Sequence, residues 1–308
     1  MAEPAVARPE PMTVKNWSAF LLLGLIWGTS FLWIKIGVRE LEPFTLVGFR
    51  LLFGLLAMSI VILIRRPAFP RSPRPWFFLA LMGLTNTALP FVLITWGEVS
   101  VDSAVASVLN SSMPLFTLII AHFFLADERM TLPRVIGLAL GFCGILLLFS
   151  RDLQRGTSQG ILGQLAILTA ALSYAISSVY ARRTLKEVST LVQAFVPMVV
   201  ADSVMWLGVF TLERPFRLPQ QPLTWVAVAW LGVLGSATAY LLYYTLLHRV
   251  GSTRTSLVTY VFPVVGVAAG VLFLGEHLDW HLALGALLVV AGIVIVNRRH
   301  GDERTSRS

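Results

Sequence analysis

The stretch LNSSMPLFTL, residues 109–118, sets Asn110, Ser111 and Ser112 in a run that is otherwise almost wholly apolar, with Pro114 two positions on. Amides and hydroxyls left unpaired in hydrocarbon are costly, so these side chains must meet either protein or water. Ser103, Ser107, Asn110, Ser111 and Pro114 are spaced to share one helix face. Ser252, Ser256, Thr259, Tyr260 and Pro263 repeat that spacing further along the chain. A proline inside a helix frees a carbonyl one turn back and kinks the axis, which adds an acceptor at depth. The chemistry on offer is hydrogen bonding to a solute or hydrogen bonding between helices. Because the stripe occurs twice, we read it as the wall of a cavity, with Asn110, Ser111, Thr259 and Tyr260 near its centre and Pro114 and Pro263 as kinks. Shorter stripes run through Trp27, Ser30 and Phe31, through Asn86, Thr87 and Phe91, through Tyr174, Ser177 and Ser178, and through Ser236, Tyr240, Tyr243 and Tyr244. Tyrosine and tryptophan offer flat apolar surfaces with one polar tip, which suits amphiphilic or aromatic solutes.

Two full charges lie inside apolar runs, Arg50 and Asp202. Each costs about 2.5 to 3.5 kcal/mol at the centre of a lipid-facing helix, so each needs a partner or water. Counting from the helix ends puts them roughly 9 and 12 Å deep at about 1.5 Å per residue, similar enough for an ion pair. Asp202 fits three roles: a proton-coupling carboxylate, a structural partner of Arg50 or of the backbone after Pro197, or a snorkelling side chain. Arg50 fits solute contact or bundle support. Lys35 and Glu98 stand near span ends, within reach of headgroups. His277 and His281 flank Asp279 at helical spacing, but they lie in an outer turn, and no metal site is expected. The chain carries no GxxxxGK[ST], HExxH or GxSxG motif, which argues against direct ATP drive, a cofactor or an intramembrane enzyme.

The elements that must position these groups follow from composition. Of 308 residues 56% are hydrophobic and 13% charged, and mean hydropathy is +0.77. Crossing about 30 Å of hydrocarbon takes about 20 apolar residues in a helix, which alone satisfies its own backbone there. Ten runs qualify: 17–38, 44–64, 76–96, 103–125, 132–149, 160–181, 188–210, 223–247, 254–274 and 280–297. The fold class is therefore an all-α integral membrane protein. The first run lacks a small-residue cleavage site after it and is read as a true span. Residues 1–16 and 298–308 are polar tails, and the links are too short to hold a soluble domain. Cys143, the single cysteine, falls inside the fifth run, excludes an intramolecular disulfide and reads as packing filler.

The net charge of +8 reports orientation rather than a nucleic-acid partner. With links assigned alternately to two sides, one side holds only Arg39, Arg151, Arg155, Arg214 and Arg217, while seventeen of the 24 Lys and Arg fall on the side of the tails. By the positive-inside rule both termini face the cytoplasm.

Setting Pro114 on Pro263 also brings Trp76 onto Trp225, Gly83 onto Gly232, Gly137 onto Gly285 and Gly144 onto Gly292. The chain thus reads as two copies, 17–150 and 151–297, of five spans each. An odd number makes the second copy enter from the opposite side, and the loop charges agree: Glu98 and Asp102 lie in one link where Arg249 and Arg254 lie in its counterpart. The duplicated unit, with WGTSF in the first span, Phe49-Arg50 opening the second, the mid-span proline and the Glu–Gly–Gly series through spans five and ten, resembles the EamA-type transporters of the drug/metabolite transporter superfamily. Tyr174 stands where that family often has tryptophan, and Asp127 beside Glu128 shifts the loop alignment. The resemblance implies ten inner-membrane helices in two inverted repeats around a central cavity, with spans one, three, four, six, eight and nine lining it. It further implies a secondary carrier, outward transport and proton coupling. The stripes favour a neutral or zwitterionic metabolite such as an amino acid, or an amphiphilic drug, over a phosphorylated one. The alternatives are an intramembrane enzyme and a channel or accessory subunit without alternating access.

Overall fold

The computed structural model describes residues 13–124, 130–156, 158–185, 187–250, 255 and 257–297. Ten helices among them are long and apolar enough to cross a membrane: α1 Val14–Gly37, α2 Pro43–Arg65, α3 Pro73–Ser100, α4 Ser103–Phe124, α5 Leu132–Gln154, α6 Ser158–Thr184, α7 Thr190–Leu212, α8 Pro222–Tyr243, α9 Leu257–Leu274 and α10 Trp280–Asn297. All ten expected spans are present, and α3 is longer at both ends than its apolar run. Leu21, Leu25, Leu63, Phe123, Leu146, Leu207 and Phe273 point outward, which in hydrocarbon completes the burial that a soluble protein would find in its core. Cys143 belongs with them: it is exposed on α5 rather than packed, a correction to the reading as filler.

Glycines set the closest crossings. On α5 and α10 a β-carbon added to Gly144 would lie 2.7 Å from the Gly285 carbonyl oxygen, and one on Gly292 would lie 2.5 Å from that of Gly137. Backbone meets backbone there, which only small residues allow. The most extensive packing partners are preserved when each helix is replaced by the one five further on: α1 with α9 corresponds to α6 with α4, α2 with α8 to α7 with α3, and α1 with α8 to α6 with α3. The repeat extends to detail. The Trp76 indole donates to the Pro70 carbonyl at 3.0 Å, and the Trp225 indole donates to that of Pro219 at 3.1 Å.

Three glutamates cap helices to which they are not joined. Glu213 accepts from the Phe44 and Thr45 amides at 2.7 and 2.8 Å at the start of α2, and Glu276 accepts from the Ser103 and Ala104 amides at 2.7 and 2.9 Å at the start of α4. Glu40, between α1 and α2, accepts from the Gln220 and Gln221 amides and the Thr224 hydroxyl at the start of α8. A carboxylate there meets the positive end of the helix dipole and unpaired N–H groups. The Thr224 hydroxyl and then the Gln220 amide hold the Glu40 carboxyl below its ordinary value of 4.5. A lowered folded-state value contributes stability above the ordinary carboxylate range, lost as pH falls through the lowered one. Glu40→Gln should therefore lower the Tm in detergent at neutral pH, and this deficit should vanish on acidification; a deficit unchanged by acid would deny the charge its role.

Candidate functional site

Two helices lose their α-helical register in the membrane. In α3 the segment Gly83–Ala88 is π-helical, and in α8 so is Trp230–Thr238; each opens on or beside one of the repeat-matched glycines, Gly83 and Gly232. A π turn inserts one residue and redirects the carbonyls and side chains around it. In α8 the Ser236 hydroxyl donates to the Leu231 carbonyl five residues back at 3.0 Å, leaving its lone pairs to accept from elsewhere. The Gly235 carbonyl accepts from the Trp27 indole of α1 at 3.1 Å.

Arg50 of α2 comes to this altered turn. Its Nε–H donates to the Ser236 hydroxyl at 3.3 Å, and its guanidinium lies over the Phe91 ring of α3, 3.8 Å from the centroid. Only 6% of the residue is exposed. Tyr174 of α6 and Tyr240 of α8 lie within its electrostatic reach, and Tyr240 is tied to the Thr87 hydroxyl of α3. Trp27 packs edge-on against Tyr240 and Phe262 and tilted against Tyr243, with centroids 5.6 to 6.3 Å apart. Ser30 of α1 is buried and bonded to the Ile26 carbonyl, with its hydroxyl 3.3 Å from where a Gly235 β-carbon would stand. Trp27, Tyr174 and Tyr240 keep accessible surface although they lie deep in the bundle. Five helices thus bring one cation, a set of aromatic faces and hydroxyls together.

Among the described residues no carboxylate stands within ion-pair distance of Arg50. The pairing with Asp202 considered from the sequence is absent: Asp202 is half-buried beside the Trp206 indole, one turn on along its own helix. Cation–π contact with Phe91 contributes about 2 kcal/mol when desolvated. That recovers only part of what burying a guanidinium costs, and the site has room in its electrostatics for an anionic group.

The serine stripes lie elsewhere. Ser107, Ser111 and Ser112 are at most 1% exposed, and each hydroxyl returns to a carbonyl of α4: Ala104 at 2.7 Å, Ser107 at 2.7 Å and Leu109 at 2.6 Å. Ser107 presses on Gly266 of α9, whose β-carbon would lie 2.3 Å away. Ser177 donates to the Thr85 hydroxyl at 2.7 Å, and Tyr180 meets the same oxygen at 2.9 Å, joining α6 to α3. The Tyr260 hydroxyl accepts from the Asn297 amide at 2.6 Å and donates to the Ile293 carbonyl at 3.2 Å, both on α10. Ser177 and Tyr260 thus join helices, while the three serines of α4 are satisfied within their own helix. Asn110 and Asn86 are half-buried, and the Asn110 amide oxygen lacks a partner. Thr259 is half-buried and engaged. Ser256 and the Tyr244 side chain lie outside the described residues. Pro114 is the second residue of the segment Met113–Phe124, restarted after a turn at Ser111–Ser112, and Pro263 follows the 3₁₀ turn Leu257–Tyr260. The turn answers why LNSSMP interrupts an apolar helix.

At one end of the bundle the charges form a closed set. The Lys35 ammonium donates to the Glu98 and Val101 carbonyls at 2.5 and 2.8 Å, and Arg151 pairs with Asp102 at 3.1 Å and with Asp279 at 2.8 Å. Lys35, Arg39, Asp102, Arg151, Glu276 and His277 line a cavity of about 340 Å³ there. Neither Lys35 nor Glu98 reaches headgroups, a correction to the sequence reading: Glu98 is wholly buried. Position along a helix gave their depth but not their direction.

Ten helices long and apolar enough to cross a membrane, with a buried cation among aromatic rings between them, define a multi-pass membrane protein. The chain matches the EamA-like transporter family over residues 16–150 and again over 161–298, and it belongs to that family. It is a membrane transporter working in a lipid bilayer on a solute. It is 26% identical over 283 residues to the "Uncharacterized transporter YoaV" of Bacillus subtilis, covering 91% of this chain and 96% of that one. It is 30% identical over 284 residues to the "Uncharacterized inner membrane transporter YedA" of Escherichia coli K12, covering 91% and 90%. One solved crystal structure superposes with a TM-score of 0.67 at 21% identity over 92% of this chain and 96% of that one, which is a likeness of fold.

Proposed function

We propose that the protein is a secondary carrier that moves a small solute bearing a carboxylate and an apolar or aromatic body, zwitterionic amino acids being the leading class. Its two halves, residues 17–150 and 151–297, are inverted repeats that rock around a site centred on Arg50. The observation that carries this reading is a guanidinium with no carboxylate at ion-pair distance among the described residues, where α1, α2, α3, α6 and α8 converge, roofed by Phe91 and flanked by Tyr174 and Tyr240, with Glu98 in its wider electrostatic reach. A carboxylate accepts the forked donors of arginine in two parallel bonds, and the rings take the rest of the solute. Trp27, Ser30 and Asn86 complete the candidate wall. Support for inversion comes from packing that survives a shift by five helices, since an odd shift reverses direction. Export, a bacterial inner-membrane location and cytoplasmic termini are the arrangement expected from the family resemblance and the loop charges.

The test is counterflow in proteoliposomes preloaded with each of a panel of amino acids. Saturable exchange with at least one of them supports a carrier; flux that does not saturate indicates a channel, and none at all an accessory subunit or another solute class. Tyr240→Ala should raise the half-saturation concentration about tenfold, since losing an aromatic contact costs about 1.5 kcal/mol; an unchanged value would take Tyr240 out of the site.

A further inference from the structure

The carrier reading leaves one buried group unused. Glu98 sits two residues from the end of α3 with none of its surface exposed, and both of its carboxyl oxygens lack a hydrogen-bond partner. Thr95, one turn back, is also wholly buried with an unpartnered hydroxyl. Gly97 draws α6 against this turn, since its β-carbon would stand 2.7 Å from the Gly163 carbonyl oxygen. Among the described residues, the polar contacts at this end of the bundle are made by its neighbours and pass the carboxyl by. Lys35 gives its protons to the backbone carbonyls of Glu98 and Val101, Glu276 takes the amides opening α4, and Arg151 takes Asp102 and Asp279.

The ionisable groups that reach Glu98 are Lys35 from α1, Glu276 from beyond α9 and Arg50 from α2. At the start of α4 Asp102 is turned to Arg151, and on α6 Gln164 donates to Asp152. None of them places a donor on the carboxyl. An isolated carboxylate without donors or water is far more costly to bury than the neutral acid. The polar cavity at this end is lined by Lys35 and Glu276 but not by Glu98, which has no exposed surface. In this closed arrangement the packing around Glu98 accommodates it with its proton on, while an ionised Glu98 requires that water be admitted.

We propose that Glu98 is the proton-binding site of this carrier: it holds a proton while the outer end of the bundle is closed and releases it when that end opens. Proton binding and closure are then one equilibrium, and a proton gradient biases the conformational step that the solute needs. This rests on the carrier reading for its purpose, but its physical signature does not.

That signature can be read on the full-length protein in lipid nanodiscs with the proton itself as the probe. Infrared difference spectra across a pH titration should show a deuterium-sensitive protonated-carboxyl band, absent from Glu98→Gln and kept in Asp202→Asn. In a Cys143→Ser background, the rate at which Ser103→Cys beside Glu98 reacts with a water-soluble maleimide, divided at each pH by the rate of the same cysteine in unfolded protein so that thiol ionisation cancels, should rise with pH by up to about tenfold per pH unit for one linked proton. Adding Glu98→Gln, a neutral mimic of the acid, should leave that ratio low and independent of pH. If the amide variant does not fold, Glu98→Asp keeps the carboxyl and should retain the band at a shifted frequency. A band that survives Glu98→Gln, one lost in Asp202→Asn instead, one unmoved in Glu98→Asp, or a labelling ratio that still follows pH without the carboxyl would overturn the proposal. Counterflow judges the carrier reading separately: both signatures without counterflow would leave a proton site in a protein that is not this carrier.

Discussion

Replacing Arg50 by glutamine should abolish solute flux while leaving the protein folded. Arg50 is 6% exposed and bonded through Nε to Ser236, and its planar group is covered by Phe91. Glutamine keeps a polar tip for Ser236 and removes a buried charge that has no carboxylate opposite it, so little folding stability depends on the guanidinium. The loss falls on the bound state. A solute carboxylate drawn into the site would be left buried without its counter-charge, a change that costs about 3 to 5 kcal/mol. At about 1.4 kcal/mol per power of ten, this is a fall of roughly two to four powers of ten in transport efficiency. Arg50→Lys should recover only part of it, because an ammonium cannot offer the forked pair of donors or lie flat on a ring. Initial rates in proteoliposomes, with thermal unfolding in parallel, measure both sides. Flux unchanged in Arg50→Gln would remove the centre of the proposed site.

What the sequence disclosed, and what it hid, follows from what periodicity can encode. The ten spans were legible because an apolar run must reach a fixed thickness, and the repeat because prolines, tryptophans and glycines fall in register. A helical period also tells which residues share a face, and the stripe from Ser103 to Ser111 is such a face. It does not tell what that face meets. A serine inside a helix can satisfy itself on a carbonyl three or four residues back, as Ser107, Ser111 and Ser112 do, and then needs no water. Arg50 was legible as a charge in the membrane, but depth counted along straight helices pointed to Asp202. Its partner Ser236 sits on a turn that a π insertion has rotated, and nothing in the composition of WLGVLGSAT announces that insertion. Glu98 and Lys35 failed in the same way: closeness to a helix end suggested headgroups, whereas packing of α6 on Gly97 and of α1 on the start of α4 turned both inward.

The contact between Arg50 and Ser236 depends on how closely α2 and α8 cross, and a single methyl group should undo it. A β-carbon on Gly232 would lie 2.4 Å from the Arg50 carbonyl oxygen, 2.6 Å from the Phe53 β-carbon and 2.8 Å from the Gly54 nitrogen. Two of these neighbours are backbone atoms, so no rotamer change relieves the overlap and the helices must part. Overpacking costs about 1 to 3 kcal/mol in well-packed cores, and a backbone neighbour places this case at the upper end. Alanine also gains about 1 kcal/mol over glycine in a helix, which the clash outweighs here. Gly48→Ala on α2 gives the opposite balance: its nearest neighbour, the Trp206 ring, is 3.4 Å away, so the helix preference decides and the variant should be as stable as the parent or more so. Gly83, the repeat-mate on α3, would place its β-carbon 2.8 Å from the Pro197 carbonyl oxygen and should fall between them. Thermal unfolding in detergent should rank the variants Gly48→Ala, Gly83→Ala, Gly232→Ala from most to least stable. Flux should fall in the last by more than stability accounts for, because parting α2 from α8 carries Ser236 away from Arg50. Full transport in Gly232→Ala would mean that the π turn, not the close crossing, positions the guanidinium.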